Sequence, residues 1–337
     1  MKALVFDAHG QPLRETEVPD PTCRADEVVI SVCRCGICGS DLHMTEDPAT
    51  FGLGTGDVIG HEFAGEVLEV GREVTDLKPG DLVAAAPLRG CGACGPCRNG
   101  DPAWCDNGMT LIGGGYAEYA ALAGRQLRKL PQGISLADGA LAEPLAVALH
   151  GLMRSGMKPG DRVLVVGAGA IGLAVVYWAR RLGAGCVVAA DLHEYQRDRA
   201  MDLGATGFIT SGPDMAQRVA AACGGAPDIV FECVGKVGLI DHCIDLVRPR
   251  GTVCVLGLCV GTDRMDSFRA ISKEVTMIMS VFFNMHEFAN AIDALDAGRF
   301  APQHLVSDTV TLASAPVAFE ALKQRTTECK VLIAPGG

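Results

Sequence analysis

Cys91, Cys94, Cys97 and Cys105 stand within the run CGACGPCRNGDPAWC, two residues apart at the first two gaps and seven at the third. Spacing of this kind lets short loops swing successive thiolates around one tetrahedral Zn²⁺. The intervening glycines and proline suit a tight loop better than a helix or strand. Four thiolates close a tetrahedron and leave no position for substrate, so this zinc is expected to hold a lobe, residues 88–106, in shape. A second set is scattered: Cys35 and Cys38 in CGICGSDLH, His61 and Glu62 in GHE, and Glu143 in AEPL. Singly, each has an ordinary account: a redox pair, a satisfied core histidine, a solvated face. Together, Cys38, His61, Glu62 and Glu143 supply one thiolate, one imidazole and two carboxylates, a mixed set suited to a catalytic zinc with one position left open.

A third motif is GAGAIG, with glycines at 167, 169 and 172 directly after the apolar run VLVV. A G-x-G-x-x-G motif is weak alone, but here it follows a strand pattern and opens a helical one. Gly167 would permit the tight turn, Gly169 the approach of a pyrophosphate to the backbone, and Gly172 close packing of helix on strand. Asp191, 24 residues after Gly167, ends the next apolar strand. A carboxylate there binds ribose hydroxyls and repels a 2′-phosphate, which favours NAD over NADP. His193, Arg197 and Arg199 are nearby positive groups that could soften the preference.

These motifs need two kinds of scaffold. Up to about residue 149 the pattern is short strands and turns, with Val28–Val32 and Ala64–Gly71 as strands and a third after Pro79-Gly80. From Asp161 the order becomes strand, helix, strand: Val163–Val166, Ile171–Leu182, Val187–Ala190, then further strands at Asp228–Glu232 and Thr252–Leu256. Such alternation predicts a parallel doubly wound sheet. After about Met277 a helix over Phe288–Ala297 and strands over Val306–Thr311 and Lys330–Ala334 are expected, the last pairing back onto the first domain. The fold class is thus α/β, a β-rich barrel-like domain over 1–149, a dinucleotide-binding domain over 150–276, and a return to the first domain over 277–337. A length of 337 residues agrees with two domains.

A net charge of -11 makes nucleic acid and anionic membranes poor partners. The start MKAL leads straight into a strand pattern without an apolar targeting region, and with fifteen cysteines this predicts a reduced, cytoplasmic setting. The cysteines outside the metal sets, Cys186, Cys254 and Cys259 among them, are expected as small core residues.

The ordered set C-G-I-C-G-S-D-L-H, G-H-E, four-cysteine lobe, E-P-L and G-x-G-x-x-G resembles the zinc-dependent medium-chain alcohol dehydrogenases over nearly the whole chain. Glu143 sits where many alcohol dehydrogenases have cysteine, which brings the chain closer to the polyol, butanediol and threonine dehydrogenase branch. The resemblance implies a GroES-like catalytic domain, a Rossmann domain, two zinc ions per chain and NAD. It implies Cys38 and His61 as zinc ligands, with either Glu62 or Glu143 completing the set. Ser40 matches the hydroxyl that takes the substrate proton and His43 the residue that passes it to solvent. Asp41 matches the partner that orients His61, Ile171 the side chain behind the nicotinamide, and Cys35 has no assigned role. The implied reaction interconverts an alcohol and its ketone or aldehyde by hydride transfer.

Polyol enzymes of that branch carry a hydroxyl-binding arginine late in the chain, where this sequence has Phe283, and an aromatic after the relay histidine, where it has Met44. With Phe51 and Phe282, these residues suggest an apolar pocket and a secondary alcohol that is apolar or cyclic, since an apolar wall gives hydroxyl groups no partners. The alternatives are a threonine, polyol or vicinal-diol dehydrogenase, and an NAD-binding zinc protein without catalysis. The resemblance also implies a homo-oligomer, dimer or tetramer.

Overall fold

Apolar–polar alternation sets the strands of the first part of the chain, and turns at glycine and proline end them. The computed structural model describes residues 1–295, 301–324 and 327–336. It divides into two units, one of residues 1–143, 284–295 and the described residues from 306 on, the other of 144–283 and 301–305. The divisions thus fall at 143/144 and 283/284, where the sequence suggested 149/150 and 276/277.

In the first unit β1 (Lys2–Val5) pairs antiparallel with β2 (Arg14–Glu17). There follow β3 (Glu27–Gly36), β4 (Glu62–Val70), β5 (Leu82–Ala85), β6 (Leu88–Arg89), β7 (Thr110–Leu111), β8 (Tyr119–Ala123) and β9 (Leu127–Lys129). The second unit contributes β10 (Arg162–Val166), β11 (Cys186–Asp191), β12 (Gly207–Thr210), β13 (Ile229–Glu232), β14 (Thr252–Val255) and β15 (Thr276–Met279). The chain then returns to the first unit with β16 (Val306–Thr311) and β17 (Lys330–Ala334).

The large sheet of the first unit runs β16-β17-β3-β4-β5-β9, with β8 also on β3. The final strand β17 lies inside this sheet, parallel to β16 and antiparallel to β3. Its core gathers Leu4, Ile30, Val32, Phe63, Tyr116 and Phe319. The second unit is a six-stranded parallel sheet, β12-β11-β10-β13-β14-β15. Its strands are near-continuous apolar runs, as burial on both faces requires, and Leu164, Val188, Val230 and Val253 lie in its core. The helix Ala170–Arg181 follows β10, with eight consecutive residues from Gly172 to Ala179 buried.

Two cysteine readings need correction. Cys186, at the start of β11, is joined to Cys223 at the end of the helix Met215–Cys223 in a disulfide. Cys259 lies half-buried in a loop after β14 and not in a strand. Cys254 is a buried strand residue, as expected. The helix expected over Phe288–Ala297 spans Met285–Asp293, and residues 296 and 297 lie outside the described residues. Its earlier start is explained by Asn284, whose side chain accepts from the His286 and Glu287 N–H groups while Glu287 accepts from the Asn284 N–H.

Candidate active site

The helix Gly39–Glu46 starts close after the end of β3, with Cys38 as its extended N-cap. The Cys38 N–H donates to Asp41 Oδ2 at 3.0 Å, which ties the third helical residue back to the cap. Asp41 is fully buried. Its Oδ2 also accepts from the Tyr116 hydroxyl at 2.7 Å, and its Oδ1 lies 3.1 Å from His61 Nδ1. A carboxylate only accepts, so Nδ1 must carry a proton, and Nε2 is the nitrogen that a metal would take in place of a proton. Burial opposes charge on both groups. The mutual attraction outweighs it, holding Asp41 below the usual carboxylate range and His61 well above the usual imidazole value.

His61 precedes β4, and its position depends on Gly60. That residue has φ 87°, and a Cβ on it would collide with the Tyr116 ring. Cys38, His61 and Glu62 each offer a ligand atom within 4.8 Å of the others. Glu143 lies outside that set. It is buried, and desolvation, countered by His61 and reinforced by Glu62, pushes its pKa up to about 7. Glu62 is fully buried with both oxygens held by Lys330 Nζ, at 2.7 and 2.6 Å, and the same ammonium donates to the Ile37 carbonyl at 3.1 Å. Burial of Lys330 disfavours its charge, but Glu62 more than compensates and raises its pKa.

Ser40 is half-buried, with Oγ 3.4 Å from His61 Nε2. His43, one turn along the same helix, is partly exposed beside Glu46. Met44 packs against the core of the first unit. Phe51 ends the short helix Pro48–Phe51 and is half-buried. Phe282 is half-buried with φ 58°, and Phe283 is only 1% exposed, so packing accounts for its position.

The lobe brings Cys91, Cys94, Cys97 and Cys105 together, all four sulfurs within 4.8 Å of one another. Cys94 caps the short helix Gly95–Arg98. N–H groups of Ala93 and Cys94 point at Cys91 and draw it down to about 6, whereas burial pushes Cys97 up to about 12. Cys35 is buried in β3.

In the second unit, Gly167 has φ 96°, and Gly169 is the N-cap of the helix Ala170–Arg181. A Cβ on Gly172 would collide with the Gly167 carbonyl, whereas one on Gly169 would meet nothing. The backbone is therefore closely packed on one side and open on the other, as a pyrophosphate cradle must be. Ile171 is half-buried beside it. The Asp191 oxygens accept the N–H groups of Ala168 at 2.8 Å and Leu192 at 2.7 Å, which joins the ends of β10 and β11. Arg197 is held by Glu194 at 2.9 Å, with its guanidinium over the Phe208 ring.

Sequence reasoning missed Tyr116 and Lys330. Tyr116 offered no spacing signal. Lys330 did offer one, a charge at the head of the apolar strand KVLIA, and buried lysines require a partner.

Both donor sets fit zinc in chemistry and mutual distance, and the glycine turn fits a dinucleotide. The alcohol dehydrogenase GroES-like domain model matches residues 24–132, and the zinc-binding dehydrogenase model residues 170–297. A probable D-xylulose reductase A of Arthroderma otae is 33% identical, covering 96% of this chain and 94% of that one. A sorbitol dehydrogenase of Bacillus subtilis is 29% identical over 99% and 97%. Among solved structures, galactitol-1-phosphate dehydrogenase of Escherichia coli superposes with a TM-score of 0.90 at 27% identity, covering 99% of this chain and 100% of that one. This chain belongs to the zinc-dependent medium-chain alcohol dehydrogenases, in the branch that contains the polyol dehydrogenases.

Proposed function

We propose that this chain interconverts a secondary alcohol and its ketone, with Cys38, His61 and Glu62 or Glu143 holding a catalytic zinc and NAD accepting the hydride. The observation that carries the reading is Asp41 on His61 Nδ1 at 3.1 Å, because it frees Nε2 within the 4.8 Å set of Cys38, His61 and Glu62. Bound zinc supplies Lewis acidity that eases loss of a hydroxyl proton, and the nicotinamide supplies the hydride acceptor. The remaining tasks belong to the chain. Ser40 Oγ takes the proton, and His43 passes it to solvent. Asp41 keeps His61 oriented, and Lys330 holds the Glu62 carboxylate. Cys91, Cys94, Cys97 and Cys105 hold a second zinc, for two per chain.

NAD is favoured over NADP by the Asp191 carboxylate, while Arg197 is occupied by Glu194 and is not free to meet a 2′-phosphate. Two observations bear on the alcohol. Relatives named for sorbitol and xylulose support a polyol. Phe283 stands where polyol enzymes are expected to carry an arginine, but it is buried as a packing residue, so an apolar or cyclic alcohol rests on the lack of that arginine alone. Self-association, as a dimer or tetramer, is supported by β15, which forms the sheet edge and has exposed Phe268, Ile271, Met279 and Val281 on or near it. Metal-binding thiols must stay reduced, which supports a cytoplasmic setting, and the Cys186–Cys223 bond, of a kind that reducing compartments disfavour, weighs against it.

Replacing Cys38 or His61 by alanine is expected to abolish turnover while NAD still quenches protein fluorescence with unchanged affinity. Near-normal activity in metal-free protein is incompatible with the proposal. Kinetics on sorbitol, xylitol and cyclohexanol-type alcohols, each with NAD and NADP, separate the substrate readings.

A further inference from the structure

Within the first unit, an open cavity of about 350 Å³ lies between the four-cysteine lobe and the helix Met285–Asp293. Leu88, Arg98, Arg125, Arg128, Met285 and His286 are among the residues lining it, and among the described residues no aspartate or glutamate does so. Arg125 has a carboxylate partner, Asp26 at 3.1 Å, and also donates to the Gly90 carbonyl. Arg128 differs. Its described hydrogen bonds go to the backbone carbonyls of Arg125 and Leu127, at 3.1 and 2.8 Å, and it forms no ion pair among the described residues. Burial draws the Arg128 pKa below the ordinary arginine value, with Asp76 offsetting only part. Arg98 also lines the cavity, is exposed, and forms no ion pair among the described residues.

Arg128 is half-buried, and Asp76 offsets only part of the cost of its charge, which an anion from outside the chain would reduce further. The size falls within the ~300–1,000 Å³ typical of small-molecule sites. Guanidinium forks match carboxylate and phosphate oxygens, while Leu88 and Met285 offer apolar wall for the rest of a ligand. We propose that this cavity binds a small organic anion, carboxylate- or phosphate-bearing, with Arg98 and Arg128 as its charge partners. None of Cys38, His61, Glu62 or the glycine-turn residues lines this cavity. The competing account is that these arginines offset the negative charge of the zinc-bound thiolates, since Cys97 also lines the cavity.

The test is calorimetric titration of zinc-loaded protein, with saturating NAD, using citrate, glucose 6-phosphate and inorganic phosphate at low salt. Saturable one-to-one binding by citrate or glucose 6-phosphate is expected, and the stronger of the two identifies the headgroup. Arg98→Gln and Arg128→Gln should each weaken it at least ~10-fold, the worth of one charged hydrogen bond. Arg250→Gln, which removes an equal charge from an exposed pair with Glu274, should leave it unchanged. Four outcomes overturn the proposal: no saturable binding, saturable binding by inorganic phosphate alone, equal weakening in all three variants, or binding unchanged in both Arg98→Gln and Arg128→Gln. Loss of lobe zinc from Arg128→Gln with anion binding intact in Arg98→Gln would assign the cluster to the thiolates instead.

Discussion

Asp41 joins three parts of the chain at one carboxylate: the cap of its own helix, the Tyr116 ring and the His61 imidazole. Removing it frees His61 to turn, so Asp41→Ala should cut catalytic-zinc affinity and kcat/KM by ~10–100-fold, measured by competition with a chelating dye and by initial rates. Tyr116→Phe leaves two of the three donors and should cost much less. Lys330 carries a different burden. Lys330→Met strands a buried Glu62 charge, for which about 3–5 kcal/mol of destabilisation is expected in urea unfolding. A Lys330→Met, Glu62→Gln double variant should recover part of it; if the single variant is as stable as the parent, the pair is not structural. Because Glu62 raises the Lys330 pKa, the stability this pair contributes is fully present below the unfolded lysine value of ~10.4 and fades only as pH climbs beyond it. At this scale the ligand types were legible, since Cys38, His61 and the four lobe cysteines declare themselves by kind and spacing. Tyr116 was not, because it acts across 75 residues that no local pattern records, and the charge at the head of β17 marked Lys330 without marking its partner 268 residues away.

The elements were legible where period and burial agree. β16 and β17 fall on the expected residues, because each is a short run rich in β-branched residues. β12 went unrecognised, being four residues that begin with glycine. The Cys186–Cys223 bond was invisible for another reason: both cysteines sit in segments that read as ordinary core, 37 residues apart. It fastens the start of β11 to the end of the helix Met215–Cys223, and closing a loop of that length is worth roughly 2–4 kcal/mol. Cys223→Ser, or excess reductant, should therefore lower the melting temperature of the protein by several degrees. An identical melting curve with and without reductant would mean the thiols are unpaired in solution.

For the whole molecule, metal stoichiometry and assembly are the informative quantities. Metal analysis should find two zinc ions per chain, and one after Cys91→Ser with Cys94→Ser. Met279→Lys on the edge strand β15 should shift the mass measured by light scattering toward the monomer. The two-part architecture could be read from the change of grammar near Asp161, because parallel sheets buried on both faces need apolar strands separated by helices. The substrate could not. Phe283 is nearly fully buried, and burial of one aromatic reports packing before it reports recognition.

Lys330 also sets a timetable for synthesis. Cys38, His61 and Glu62 leave the ribosome early, but the ammonium that neutralises Glu62, and the strand between β16 and β3 that carries it, follow 268 residues later. Until they arrive, the nascent first unit has a gap in its sheet and an unpaired carboxylate beside its zinc ligands. Completion of the catalytic centre is thereby tied to the arrival of β17, and a chain truncated before Lys330 would keep every candidate zinc ligand and have no finished site.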